Sequence, residues 1–157
     1  MKKPLVSILI PVHNSDKYLK DCLRSIKRQT YKNIEIIAID DRSNDESYKI
    51  LRTLKKKDLP AGRHGKRIRI YRNIKRYGIA VTLNRLIRKS KGEIIGVVSS
   101  SDLLHRDRIK RQISYLIKNP GVVALGTQCA FVNKKNIKID RAQSNDVYLK
   151  FFFRRFK

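Results

Sequence analysis

The chain has 157 residues, 41% of them hydrophobic, with a formal net charge of +25. That length suits one domain with an adequate buried core, and the composition excludes a disordered chain. No apolar stretch approaches the ~18 residues of a membrane span, and no signal-peptide apolar region opens the chain. Val6 to Ile10 is short, rich in β-branched residues and closed by Pro11, which predicts a buried strand. Asn14, Ser15 and Asp16 supply cap and first-turn chemistry for a helix. Leu19, Cys22, Leu23 and Ile26 then fall on one helical face.

Tyr31-Lys32-Asn33 makes a turn, and Ile34 to Ile39 is a second apolar strand ending in Asp40-Asp41. Ser43 and Glu46 have capping-box spacing and open a helix with Ile50, Leu51 and Leu54 inward. A Pro/Gly loop from Pro60 to Gly65 precedes Arg67 to Tyr71, which alternates like a strand. Gly78 starts a helix with Ile79, Leu83, Leu86 and Ile87 on one face, and Lys91-Gly92 stops it. A fourth strand, Ile94 to Val98, ends in Ser99-Ser100-Ser101-Asp102. The next helix has Ile109, Ile113, Leu116 and Ile117 as its core face and breaks at Asn119-Pro120-Gly121. Val122 to Leu125 and Cys129 to Val132 are further strand candidates. Asp146 to Lys157 is a polar, then aromatic, segment whose Phe151, Phe152, Phe153 and Phe156 call for a covering surface, such as a partner chain.

Alternating strands and helices predict an α/β fold with a mainly parallel sheet and right-handed crossovers. Chain order then puts three polar strand ends on one edge: Pro11 to Asn14, Asp40-Asp41, and Ser99 to Asp102. Open α/β sheets bind ligands there. Cys22 and Cys129 make no disulfide framework, and Cys22 lies on an apolar helix face, so a reduced core thiol and a cytoplasmic protein are expected. The charge attracts polyanions, among which an anionic membrane surface is a candidate. No zinc-finger spacing, RNP-type strand or bZIP region accompanies it, so no specific nucleic-acid partner is expected and a solvated basic surface is preferred.

These segments in order resemble the inverting glycosyltransferases of family 2, with the GT-A fold. The resemblance rests on Pro11-Val12-His13-Asn14, on Asp40-Asp41-Arg42-Ser43-Asn44-Asp45 against Asp-Asp-Gly-Ser-x-Asp, and on Asn73, Gly78, Leu83 and Asn84. Lys91-Gly92-Glu93 and Asp107-Arg108-Ile109 complete it. It implies one GT-A-like nucleotide-sugar-binding domain over 1–157, with the acceptor-binding half short or missing. The donor would be a nucleotide-diphosphate sugar, expected to be UDP-linked, and the acceptor a glycan or lipid. Carried over by position, the donor site comprises Pro11, Val12, His13, Asn14, Asp40, Asp41, Arg76, Gly78, Asn84, Ser100 and Ser101, with Lys75 as an alternative to Arg76. Asp40 and Asp41 have a competing use as helix caps, and His13 as a packing residue.

Two departures from the family pattern stand out. The family's Asp-x-Asp pair is Ser99 and Ser101 here, leaving Asp102 as the carboxylate through which Mn2+ or Mg2+ would be held. Such ions prefer hard anionic oxygens. The second is length: members of the family usually continue into an acceptor-binding half that carries the catalytic base, and here no carboxylate is marked for that role, Asp140 and Asp146 being candidates by default. The leading expectation is thus a glycosyltransferase. A catalytically impaired module of the same fold and a basic polyanion-binding protein are its rivals.

Overall fold

The computed structural model describes residues 3–57, 67–127, 130–132, 138–141 and 152–154. The Pro60 to Gly65 loop, Cys129, Asp146, Phe151 and Phe156 lie outside the described residues. The elements run β1 (Val6–Val12), α1 (Asp16–Lys27), β2 (Ile34–Asp40), α2 (Ser47–Lys57), β3 (Arg67–Arg72), α3 (Ile79–Lys89), β4 (Ile94–Val97) and α4 (Arg108–Lys118). Short strands β5 (Ala124–Leu125), β6 (Ala130–Val132), β7 (Lys138–Arg141) and β8 (Phe152–Arg154) follow.

Six strands form one sheet in the order β3-β2-β1-β4-β8-β5, while β6 and β7 pair separately. β1, β2, β3 and β4 are mutually parallel, and β8 is antiparallel to both β4 and β5. The expected α/β sheet, flanked by helices, is therefore present, with an antiparallel addition at its far side. The pleat sorts β1 between two layers. Val6, Ile8, Ile10 and Val12 pack in a large cluster with Leu19, Leu23 and Ile26 of α1, Leu51 of α2, and Ile109, Ile113 and Leu116 of α4. Leu9 faces the other way, with Ile37, Ile39, Ile95 and Leu86 of α3.

Three local expectations are revised. The capping box at Ser43 and Glu46 is not formed: the Ser43 hydroxyl accepts from the Asn14 amide, and Asp45 receives the Ser47 amide at the start of α2. The Ser15 carbonyl starts α1, receiving the Tyr18 and Leu19 amides, but its hydroxyl makes no cap. Phe152 needs no outside surface: it is fully buried within the chain's own core, over Gly96 of β4, where any β-carbon would meet its ring. Phe153 packs on the α3 side.

At the opposite sheet edge a polar latch fixes the turn between α3 and β4. Glu35 Oε1 accepts from the Ser7 hydroxyl at 2.5 Å and the Lys91 amide at 2.6 Å, and Oε2 from Arg69 at 2.8 Å. Burial opposes ionisation of Glu35, but these donors outweigh it and hold its carboxyl below the ordinary range. The Gly92 amide donates to Ser7 Oγ, and a β-carbon at Gly92 would lie 2.6 Å from Ser7 N. The Lys91-Gly92 step is thus a close-approach requirement rather than only a helix stop.

Candidate functional site at the carboxyl edge of the sheet

The strand order reverses at β1: β2 and β3 lie on one side of it and β4 on the other. Ligands of open α/β sheets settle at such a reversal. β1 and β4 pair as far as Leu9 and Val97, and the Val98 amide closes on the Leu9 carbonyl. Amide directions alternate along a strand, so Pro11 faces β4 with no N–H to offer. The two strands fork at that point.

Four turns meet around the fork. The turn after β2 is the hub. The Asp41 amide donates to the Val12 carbonyl, and His13 Nδ1 lies 3.0 Å from the Asp41 carbonyl. A carbonyl only accepts, so Nδ1 carries a proton in this contact. Asp41 Oδ1 accepts from Asn73 Nδ2 at 2.6 Å and the Tyr77 amide at 2.9 Å; Oδ2 accepts from the Gly78 amide at 2.8 Å. Burial opposes ionisation of Asp41, but hydrogen bonds from Asn73, the Tyr77 and Gly78 amides and Thr82 prevail, and the carboxyl sits below its ordinary range. Gly78 leads into α3 with φ +82, a conformation suited to glycine.

Asp40 is fully buried. Its Oδ2 accepts from Arg72 Nε at 3.0 Å and the Ser43 amide at 3.3 Å. Its Oδ1, like Asn73 Oδ1, is a buried acceptor with no hydrogen-bond partner. The Asn73 amide donates to the Asp40 carbonyl, which joins the ends of β2 and β3 beside these two buried oxygens. Asp45 joins two helix starts: Oδ2 accepts from the Asp16 amide and Oδ1 from the Ser47 amide. Burial opposes its ionisation too, but the Ser47 hydroxyl and the Asp16 and Ser47 amides keep it below the ordinary range.

The turn after β4 closes the site. Ser100 Oγ lies 2.7 Å from Ser15 Oγ, tying this turn to the start of α1, and the Cys22 thiol donates to the Ser99 carbonyl. Ser99 Oγ and Ser101 Oγ are 3.0 Å apart. The Ser99 amide donates to Asp102 Oδ2 at 3.1 Å, and the Asp102 amide donates back to the Ser99 carbonyl.

Of the residues expected at the site, His13, Asn14, Asp40, Asp41, Gly78, Ser100, Ser101 and Asp102 belong to these interlocked turns. Pro11 and Val12 are the last residues of β1, and the Val12 side chain is buried in the core. Arg76 is exposed on the segment between Asn73 and Gly78. Asn84 is exposed midway along α3, apart from the strand ends. Sequence reasoning left Ser15, Asp45, Arg72 and Asn73 out of the site, reading Ser15 as cap chemistry and Asp45 and Asn73 as motif residues only. Asp45 was legible as the last Asp of its motif; Arg72 was not, because β3 ends without a polar cluster.

The chain aligns with the family model described as "Glycosyl transferase family 2" over residues 7–157. It is 32% identical over 126 residues to an uncharacterized glycosyltransferase of Haemophilus influenzae, covering 80% of this chain and 48% of that protein. It is 33% identical over 122 residues to glycosyltransferase GlyG of Streptococcus pneumoniae, covering 78% of this chain and 38% of that one. The chain thus spans about half or less of these relatives' length. Among solved structures, S. aureus TarS in complex with UDP superposes with a TM-score of 0.75 at 17% identity, over 96% of this chain and 46% of that one. A mannosyltransferase from Pyrobaculum calidifontis in complex with GDP-Man and Mn2+ superposes with a TM-score of 0.70 at 21% identity, over 85% of this chain and 37% of that one. The fold is that of these glycosyltransferases.

The Mn2+ of that neighbour sets a test for the turn after β4. That turn carries one carboxylate, Asp102, whose Oδ2 already accepts the Ser99 amide, and three neutral hydroxyls. Among the described residues, no three His, Cys, Asp or Glu side chains gather into a group able to hold a metal ion. Hard divalent cations seek several anionic oxygens, so the donor set does not fit a resident Mn2+ or Mg2+. No helix of the described residues is long and apolar enough to cross a membrane. By the reach of the family model along its length, the chain belongs to glycosyl transferase family 2.

Proposed function

We propose that the chain binds a nucleotide-diphosphate sugar at the β1/β4 fork and serves transfer of the sugar to a hydroxyl of a glycan or lipid acceptor. The observation that carries the reading is the meeting of four polar turns at the carboxyl edge of the sheet, where the strand order reverses and β1 and β4 part. A nucleoside presents base N–H and ribose O–H donors, which the carbonyls and hydroxyls of such turns can receive. The exposed Lys75 and Arg76 border the same turn and would attract the diphosphate. TarS has been solved with UDP and with UDP-GlcNAc, and the Pyrobaculum enzyme with GDP-Man, so uridine and guanosine nucleotides are the first candidates.

In the transfer, the bond from the sugar's anomeric carbon to the diphosphate breaks and a bond to the acceptor oxygen forms. The nucleoside diphosphate leaves, and the acceptor's proton passes to a base. Asp41 is a positioning residue in this reading: its carboxylate is occupied in shaping the Asn73–Gly78 turn. The net charge of +25 supports work beside an anionic surface that presents the acceptor.

Calorimetric titration with UDP, UDP-GlcNAc, GDP and GDP-mannose tests the reading. Binding of at least one, weakened about tenfold or more in Asp40→Ala with folding intact, is expected. Failure of all four to bind refutes it. A second reading, a non-catalytic binding module, is favoured by the neutral Ser99 and Ser101. Acceptor-independent hydrolysis or transfer of a bound donor would refute that second reading.

A further inference from the structure

We infer that this chain holds the donor diphosphate without a divalent cation, using hydroxyl donors where a metal-dependent relative uses carboxylates and a metal. The inference rests on the nucleotide-sugar reading of the fork.

The first support is electrostatic. Two carboxylates facing a diphosphate repel it, and a doubly charged cation between them restores balance. Replacing both carboxylates by hydroxyls removes two negative charges, and with them the need for the two positive charges of the ion. Ser99 and Ser101 accomplish that replacement at the end of β4. A hydroxyl can donate to a phosphate oxygen, which a carboxylate cannot.

The second support is geometric. Ser99 Oγ and Ser101 Oγ stand 3.0 Å apart on one exposed turn, where one proton lies between the two oxygens. A phosphate oxygen can take a hydrogen bond from either without disturbing the backbone. The turn does not depend on a ligand for its shape: Asp102 Oδ2 caps the Ser99 amide, and Ser100 is anchored to Ser15. Asp102 thereby has a structural use that accounts for its retention apart from metal binding. The third support is the field: the chain carries 38 Lys and Arg against 13 Asp and Glu, so a polyanion meets a positive surroundings before any ion is added.

The test is calorimetric titration of the full chain with UDP and GDP in EDTA and, separately, in excess MnCl2. The wild type is expected to bind at least one nucleotide with Kd values in the two conditions agreeing within about threefold. The double variant Ser99→Asp plus Ser101→Asp, checked for an unchanged melting profile, is expected to bind at least about tenfold more weakly in EDTA and to regain affinity with Mn2+. Wild-type binding that requires Mn2+, or a double variant indifferent to Mn2+, overturns the inference. If neither nucleotide binds in either condition while the protein is folded, the nucleotide reading falls, and this inference with it.

Discussion

Truncating Asp41 to alanine is the sharpest test of how the site is held. The substitution removes an acceptor for Asn73 Nδ2 and for the Tyr77 and Gly78 amides, at 2.6, 2.9 and 2.8 Å. Hydrogen bonds to a charged group contribute about 1.5–3 kcal/mol each, and part of that returns when water enters the vacated space. The net loss should be about 3–5 kcal/mol, a large share of the ~5–15 kcal/mol typical of a domain. With a urea slope of about 2 kcal/mol/M, the midpoint should fall by about 1.5–2.5 M at neutral pH. The acid limb should change as well. Asp41 has a depressed folded pKa, so its contribution is present above the ordinary Asp value and is lost as pH falls through the folded one. Asp41→Ala should therefore lose the part of the acid sensitivity that lies below about pH 4. A midpoint shift under about 0.5 M would show that the Asn73–Gly78 turn is organised by something other than this carboxylate.

Other substitutions probe separate parts of the molecule. Gly92→Ala would bring a β-carbon within 2.6 Å of Ser7 N, so a loss of about 2–3 kcal/mol is expected in thermal melts. A neutral melt would mean that the latch relaxes freely. Glu35→Gln should destabilise at neutral pH and show less acid sensitivity below about pH 4.5 than the wild type, because ionised Glu35 is the favoured form in the fold. Equal acid profiles would refute its role. Phe152→Ala empties a fully buried site and should cost about 3–5 kcal/mol in urea unfolding, against about zero if β8 were only loosely attached. Arg42 sits at φ +60, where a side chain is strained, so Arg42→Gly should raise the unfolding free energy by about 0.5–1 kcal/mol in urea titration.

Much of the parallel half was legible because period and punctuation agreed. Val6–Ile10 and Ile34–Ile39 are buried as their apolar runs require, with the one polar residue in each, Ser7 and Glu35, paired to the other. The convergence of Asp41 with His13 follows from chain order once the sheet is parallel. What escaped was partnership at a distance. Nothing local says that Asp45 would bond the Asp16 amide across 29 positions, or that the Ser43 hydroxyl would turn to Asn14 rather than close a capping box. Asp41 read as a ligand contact or a cap for the helix that follows it, whereas its carboxylate serves the start of α3, a crossover later. Val12 drew attention by position in a motif, but strand alternation sends its side chain to the core. Arg42, standing where the family pattern has glycine, shows the backbone demand persisting after the residue type has changed.

The antiparallel seam between β4 and β8 has a bearing on how such a chain matures. Gly96 faces Phe152, more than fifty positions later, while β1 to β4 are complete by Val97. During synthesis, the nascent sheet would therefore display a bare flank, ungated by any charge on Gly96, until Phe152 emerged. An unpaired flank of that kind is a template for wrong associations. Yield from a cell should thus depend on how promptly that late ribbon docks, and early termination codons ahead of Phe152 should produce inclusion bodies rather than smaller soluble proteins.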